Sequence, residues 1–225
     1  MKIAVLGGSG MAGAAVFAEA RQRGHQPVAF VRDKGRALGI LGSQATIIAK
    51  DVFALTRDDL AGFEAIVVAT AFPPERAYLH IDLATRLVAM FRATETPRLL
   101  FILGAGSLVA PTGHLLLDDM VKDPANAVFI NIPIAAYREL LFLKNTDNVN
   151  WVGVSPSAVF AKGQAHMPKI GNDNLLFAED GKSHVTDKTM AVAILDELEH
   201  PEFKRRRFTV SDLSLIQIPQ SPRLM

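Results

Sequence analysis

Hydrophobic residues in this chain gather in short unbroken runs, separated by stretches with helical spacing or with turn residues. Ile3-Ala4-Val5-Leu6, Pro27-Val28-Ala29-Phe30-Val31, Thr46-Ile47-Ile48-Ala49-Lys50, Ala65-Ile66-Val67-Val68-Ala69 and Leu99-Leu100-Phe101-Ile102-Leu103 are each too short for a helix. They do not alternate apolar with polar positions, so they read as parallel strands covered on both faces. Between the first two, Ala14 to Arg21 reads as a helix that Gly24 ends, which makes a βαβ unit with a right-handed crossover. A short helix is expected over residues 58–63 and a longer one over 76–93, stopped ahead of Pro97.

Beyond the fifth run the pattern weakens. Residues 104–131 mix Gly, Pro, Asp and Asn with apolar positions and read as a long loop with little regular structure. A helix over 135–145 leads to a strand, Asn150-Trp151-Val152-Gly153-Val154. After Ser155-Pro156 only short strand-like pieces are expected, around Leu175-Leu176-Phe177 and Ser183-His184-Val185. A well-patterned helix follows, capped by Thr186 or Asp187, with Met190, Ile194, Leu195 and Leu198 on one face. Phe208-Thr209-Val210 reads as a last strand, and the basic run Lys204 to Arg207 before it as a solvated turn. The expected fold is α/β: one doubly wound parallel Rossmann sheet spanning residues 1–225. A small irregular C-terminal lobe, residues 155–190, would cover its carboxyl edge and the substrate.

Composition narrows the partners. With 225 residues, a net charge of +1 and 49% hydrophobic residues, the chain can bury a sizeable core and offers no broad basic surface for nucleic acid. It has no cysteine, which excludes disulfides, thiolate metal sites and cysteine nucleophiles. Its six histidines show no metal-ligand spacing. No apolar run approaches the roughly 20 residues of a membrane span, and the first apolar stretch is broken by glycines where a leader would be continuous. A cytoplasmic protein with a small-molecule partner is expected. Its oligomeric state is not legible.

The chemical signal is Gly7-Gly8-Ser9-Gly10-Met11-Ala12-Gly13, a G-x-x-G-x-x-G between a predicted strand and a predicted helix. Gly7 permits the tight turn, Gly10 lets backbone approach a pyrophosphate, and Gly13 allows close helix–strand packing. Free amides at the helix start would hold the phosphates. The second strand ends Arg32-Asp33-Lys34. An arginine there holds a ribose 2′-phosphate, whereas a carboxylate accepts from the ribose hydroxyls. Arg32, with Lys34 nearby, favours NADP(H), and Asp33 keeps NAD(H) open.

These residues occur in order with Asp51, with Phe101 to Leu108, with Asn150 to Ser157, with Asp180 to Thr186 and with Ala191 to Glu197. Together they resemble the atypical short-chain dehydrogenase/reductases named for NADH-flavin reductases. That group is similar to biliverdin-IXβ/flavin reductases and to NmrA-like NAD(P) sensors. The resemblance implies that Asp51 and Val52 lie beside the adenine and that Ala69, Thr70, Ala71 and Phe72 line the middle of the cofactor. It further implies that Gly104 binds the cofactor, that Ser107 faces the nicotinamide as the catalytic candidate, and that Pro156 and Ser157 border the nicotinamide pocket. The wider group carries a tyrosine with a lysine four residues later. Here Tyr137 is followed at that spacing by Leu141, and Tyr78 by Asp82, while Lys144 lies about 10 Å along the helix from Tyr137. Alcohol dehydrogenation by such a pair is therefore not expected, nor is epimerase or dehydratase chemistry that uses its tyrosine. What remains is hydride transfer to a flavin substrate, a quinone or a similar flat acceptor, or a non-catalytic NADP(H) sensor. Phe72, Phe129 and Phe160 are candidates for stacking on a flat ring. His166 is a candidate substrate contact, while His80 and His184 read as structural.

Overall fold

The computed structural model describes residues 1–217, with side chains to Leu213. The apolar runs form β1 (Lys2–Leu6), β2 (Gln26–Val31), β3 (Ile47–Ala49), β4 (Ala65–Val68) and β5 (Arg98–Ile102). They are followed by β6 (Trp151–Pro156) and, at the end, by β10 (Arg207–Gln217). The helices are α1 (Met11–Gln22), α2 (Lys34–Leu41), α3 (Leu79–Met90), α4 (Leu116–Lys122), α5 (Asn131–Lys144) and α6 (Asp187–Glu199). Three further strands, β7 (Val159–Ala161), β8 (His166–Gly171) and β9 (His184–Thr186), belong to the C-terminal lobe.

The main sheet runs β3-β2-β1-β4-β5-β6-β10-β8. It is parallel except for β8, which pairs antiparallel with β10. β7 and β9 pair parallel in a separate small sheet. Successive residues of each strand point to opposite faces, so an unbroken run feeds two cores at once. Ala4 and Leu6 pack with Leu83, Leu87, Leu140 and Leu143 of α3 and α5. Ile3 and Val5 pack with Val16 of α1 and Ile194 and Leu195 of α6. Strand order reverses between β1 and β4, and at such a switch point the helices leave a crevice outside the carboxyl ends.

Several expectations need correction. α2 was not anticipated: Lys34–Leu41 contains Gly35 and Gly39, and its decisive signal is Asp33, whose carboxylate accepts from Arg36 N–H at 3.0 Å and caps the helix. Residues 58–63 form only a 3₁₀ turn, Asp58–Leu60. The helix expected over 76–93 is a 3₁₀ turn, Pro74–Arg76, followed by α3. The 104–131 stretch is more regular than its composition suggested, with 3₁₀ turns at Ala105–Ser107 and Pro124–Asn126 and α4 between them. α5 starts four residues earlier than expected because Pro133 falls in its first turn, where no intrahelical N–H bond is needed. In the lobe, residues 175–177 are not a strand, while β8 was overlooked because Pro168 sits within it. Proline is tolerated on strands at a sheet edge. Thr186 is the cap of α6, accepting from Thr189 N–H.

Candidate active site at the carboxyl edge

The glycine loop turns at Gly7, whose φ of +80° suits glycine, and Gly7 N–H donates to Phe30 C=O at 3.0 Å. Gly10 N–H donates back to Gly7 C=O at 2.9 Å and closes the turn. A Cβ on Gly13 would stand 2.3 Å from the Gly7 carbonyl oxygen, so only glycine lets α1 pack this closely on its own loop. α1 then begins without a side-chain cap and without an acidic residue in its first turn. Its first amides are left free for an anion, and the helix dipole favours one there.

Beside this loop lies a cleft of about 510 Å³. Of the residues singled out in the sequence, Gly7, Ser9, Gly10, Met11, Ala12, Arg32, Asp51, Val52, Ala69, Thr70, Ala71 and Phe72 line it. Asp51 also accepts from Phe53 N–H at 2.8 Å, which starts the turn Val52–Ala54 and turns Val52 and Phe53 to the cleft. Thr70 Oγ1 is buried with no partner, and a buried hydroxyl of that kind costs stability unless a ligand satisfies it.

The cleft has two features that the sequence yielded only in part. One is apolar surface: Phe72 and Phe160, two of the three stacking candidates, line the cleft together with Phe53 and Ile102, whereas Phe129 does not. The other is positive charge: Arg36, Lys50 and Arg76 line the cleft with Arg32. Lys50 is bonded to Asp59 at 2.6 Å, and this bond leads the effects that hold the Asp59 carboxyl down at about 2. Arg32, Arg36 and Arg76 have no acidic partner among the described residues. Arg36 stood four residues from Arg32 and faces the cleft only because Asp33 caps α2. Lys34 is not part of the wall.

Gly104, Ser107, Pro156, Ser157 and Gly13 are not among the residues that line the cleft. Gly104 gives room to Ala136 of α5, 3.2 Å from where a Cβ would stand. Pro156 ends β6 and is buried, and Ser157 donates its hydroxyl to Val210 C=O at 2.9 Å. Ser107 Oγ accepts from Arg207 Nη1 at 3.1 Å. The same nitrogen reaches Ser155 Oγ at 3.0 Å, and the guanidinium also binds Asp173. The expected solvated turn therefore holds for Lys204 to Arg206, but Arg207 is a correction: it is 3% exposed and pins the loop after β5. The spacing gave no hint, because Asp173, Ser107 and Ser155 are remote from it in sequence.

His80 and Glu139 form a second buried group. His80 Nδ1 lies 3.8 Å from Glu139 Oε2, and His80 Nε2 and Glu139 Oε2 have no hydrogen-bond partner. Burial pushes the Glu139 carboxyl up from 4.5 to about 8 and moves His80 down. Between pH 4.5 and 8 the folded protein then holds a Glu139 proton that the unfolded chain has lost. That contribution to stability is complete at low pH and is lost as the pH rises, at roughly 1.4 kcal/mol per pH unit. His80 opposes this below 6.5, where the unfolded chain is the one that binds the extra proton. The net loss should concentrate between pH 6.5 and 8. Thermal unfolding of wild type and Glu139→Gln across that range should show the wild-type Tm falling while the variant stays level. Parallel curves would refute the assignment.

The remaining histidines stand apart from the cleft wall. His166 is buried, its N–H donating to Thr189 Oγ1 at 2.9 Å. His184 is held between Asp212 at 2.9 Å and Asp180 at 3.2 Å. Among the described residues there is no cluster that could hold a metal, and no helix is long and apolar enough to cross a membrane.

The glycine cradle, the free helix amides, the orphan Thr70 hydroxyl and the free cations all fit a dinucleotide, and comparison with known proteins agrees. The NAD(P)H-binding family matches residues 7–201. The uncharacterized protein YwnB of Bacillus subtilis (strain 168) is 36% identical over 217 residues, 93% of this chain and 98% of that protein. A crystal structure from Lactobacillus casei is 42% identical with a TM-score of 0.88, covering 95% of this chain and all of the other. SP1627 of Streptococcus pneumoniae TIGR4, titled "a putative NADH-flavin reductase", is 32% identical with a TM-score of 0.83, over 94% of this chain and 99% of its own. The chain belongs to the NAD(P)H-binding family and is built on the Rossmann fold.

Proposed function

We propose that the protein is an NADPH-dependent reductase that passes hydride to a flavin, a quinone or a similar flat acceptor. The observation that carries this reading is the course of the cleft. It starts at Arg32 and Arg36 beyond β2, crosses the glycine loop after β1, and ends at Ile102 and Phe160 beyond β5. From β2 to β5 are three strand spacings, about 14 Å, a span that suits an extended dinucleotide with its nicotinamide at the apolar end. Bound there, NADPH supplies the hydride. The chain's residues do the rest. Arg32 and Arg36 hold the 2′-phosphate, and the amides of Met11 and Ala12 hold the pyrophosphate. Thr70 takes a polar atom in the middle of the cofactor, while Ile102 and Phe160 keep water from the reacting face. Arg207 fixes the loop that carries Ser107. The likeness to SP1627, which carries a flavin-reductase name, favours this class of acceptor.

Purified protein should oxidise NADPH faster than NADH, and only when FMN, riboflavin or a simple quinone is added. Tight NADPH binding without turnover on any of the three acceptors would instead identify a sensor.

A further inference from the structure

Matching the cleft's cations to the phosphates of a dinucleotide leaves one cation over. Arg32 and Arg36 stand beyond β2, where the 2′-phosphate is placed, and Lys50 is bonded to Asp59 at 2.6 Å. Arg76 also lines the cleft and has no acidic partner among the described residues. The pyrophosphate is the group still short of positive charge. The glycine loop, residues 7–13, contains no cation. The start of α1 offers its amides and a dipole equivalent to about half a positive charge, against two negative charges.

The fold puts Arg76 across the cleft from those amides. Phe72 and Phe53 pack against the core that holds Leu83 and Leu87 of α3. Val16 and Ala20 of α1 belong to the core on the other face of the sheet. The segment after β4 therefore runs along one side of the carboxyl edge, and α1 begins on the other. Both line the cleft, through Ala69 to Pro73 and Arg76 on one side and Met11 and Ala12 on the other. A rigid turn sets the position of Arg76. Pro73 and Pro74 fix their own φ angles, and Arg76 N–H donates to Pro73 C=O at 2.9 Å. In the sheet β4 adjoins β1, whereas β2 is two strand spacings away, about 10 Å. A phosphate above the loop after β1 is thus closer to the strand that leads to Arg76 than a phosphate beyond β2.

We propose that Arg76 binds the cofactor pyrophosphate from the side opposite α1, so that the phosphates lie between its guanidinium and the amides of Met11 and Ala12. The inference rests on the dinucleotide part of the reductase reading and is indifferent to the acceptor. A guanidinium presents its N–H donors as a planar fork, which suits neighbouring phosphate oxygens. NADPH and NADH share the pyrophosphate, so Arg76 contributes affinity for both, while Arg32 and Arg36 set the preference between them.

The test is calorimetric titration of wild type, Arg76→Ala and Arg76→Lys with NADPH, NADH and ADP-ribose, which keeps the pyrophosphate and lacks the nicotinamide. Arg76→Ala should weaken all three by the same factor, about 20-fold, the scale of a hydrogen bond to a charged group. Arg76→Lys should recover part of the loss, because it keeps the charge without the fork. Arg76 is exposed, so thermal unfolding of both ligand-free variants should match wild type. A loss confined to NADPH would move Arg76 to the 2′-phosphate. One that spares ADP-ribose would move it to the nicotinamide end, and undiminished binding would leave it a solvated side chain. Each of these overturns the proposal while the cofactor reading stands. A wild type that binds neither NADPH nor NADH would overturn the cofactor reading and the proposal with it.

Discussion

Gly13→Ala is expected to destabilise the protein by roughly 3 kcal/mol and to abolish measurable NADPH binding, whereas Gly10→Ala should weaken binding while leaving stability almost unchanged. At Gly13 the new methyl would stand 2.3 Å from the Gly7 carbonyl oxygen and 2.9 Å from its carbon. Neither is a flexible side-chain end, so α1 must move away from the loop. Overpacking a well-packed site costs about 1–3 kcal/mol, and a backbone obstacle puts this case at the upper end. In a domain of this size that corresponds to a fall in Tm of about 6–12 °C. Moving α1 also displaces the amides of Met11 and Ala12, so binding is lost with the packing. Gly10 differs. Its φ of −76° and ψ of 171° are ordinary extended backbone. A methyl there meets only Gly7 O at 3.3 Å and Ala69 O at 3.9 Å, but it faces the space where the pyrophosphate would lie. Calorimetric titration with NADPH beside thermal unfolding separates the two effects. Equal losses of affinity and stability at both positions would mean that the loop is only a structural turn.

How far the sequence spoke for itself depended on the range of the interactions. β1, β2, β4 and β5 were legible because their burial on both faces is written in consecutive residues. α6 was legible through Thr186 and its apolar face. α2 was lost because Gly35 and Gly39 dilute its pattern, and with it went Arg36, although the single bond from Arg36 N–H to Asp33 decides both. Ser107 was visible as a loop serine, but its anchor was not. Arg207 reaches it across 100 positions of sequence, and the basic run around Arg207 advertised solvent instead. Glu139 was hidden for a similar reason: nothing near it in the chain announces that α3 will bring His80 against it. Local signals thus reached the glycine-loop side of the cleft wall, together with Phe72 and Phe160, while Arg36, Phe53 and Ile102 joined it through contacts that only the fold creates.

The phosphate end supports the second large effect. Replacing Arg32 with alanine should weaken NADPH binding about 30-fold and leave NADH binding within about twofold. The Arg32→Ala, Arg36→Ala double variant should lose about 1000-fold for NADPH. A hydrogen bond to a charged group contributes about 1.5–3 kcal/mol, and only NADPH carries the 2′-phosphate that earns it. Arg32 and Arg36 both line the cleft at the end of β2, and neither has a competing acidic partner among the described residues. The alternative acceptor of ribose hydroxyls, Asp33, is already engaged as the cap of α2 and is absent from the cleft wall. Removing the arginines therefore lowers affinity for NADPH without creating a site for NADH. Converting the preference would require a carboxylate at position 32 itself, so Arg32→Glu should repel the 2′-phosphate and accept from the ribose hydroxyls. Dissociation constants for both cofactors, measured by quenching of the single tryptophan, Trp151, or by calorimetry, give the ratio directly. If NADPH and NADH weaken together in Arg32→Ala, the arginine holds no 2′-phosphate and the cofactor preference must be set elsewhere in the cleft.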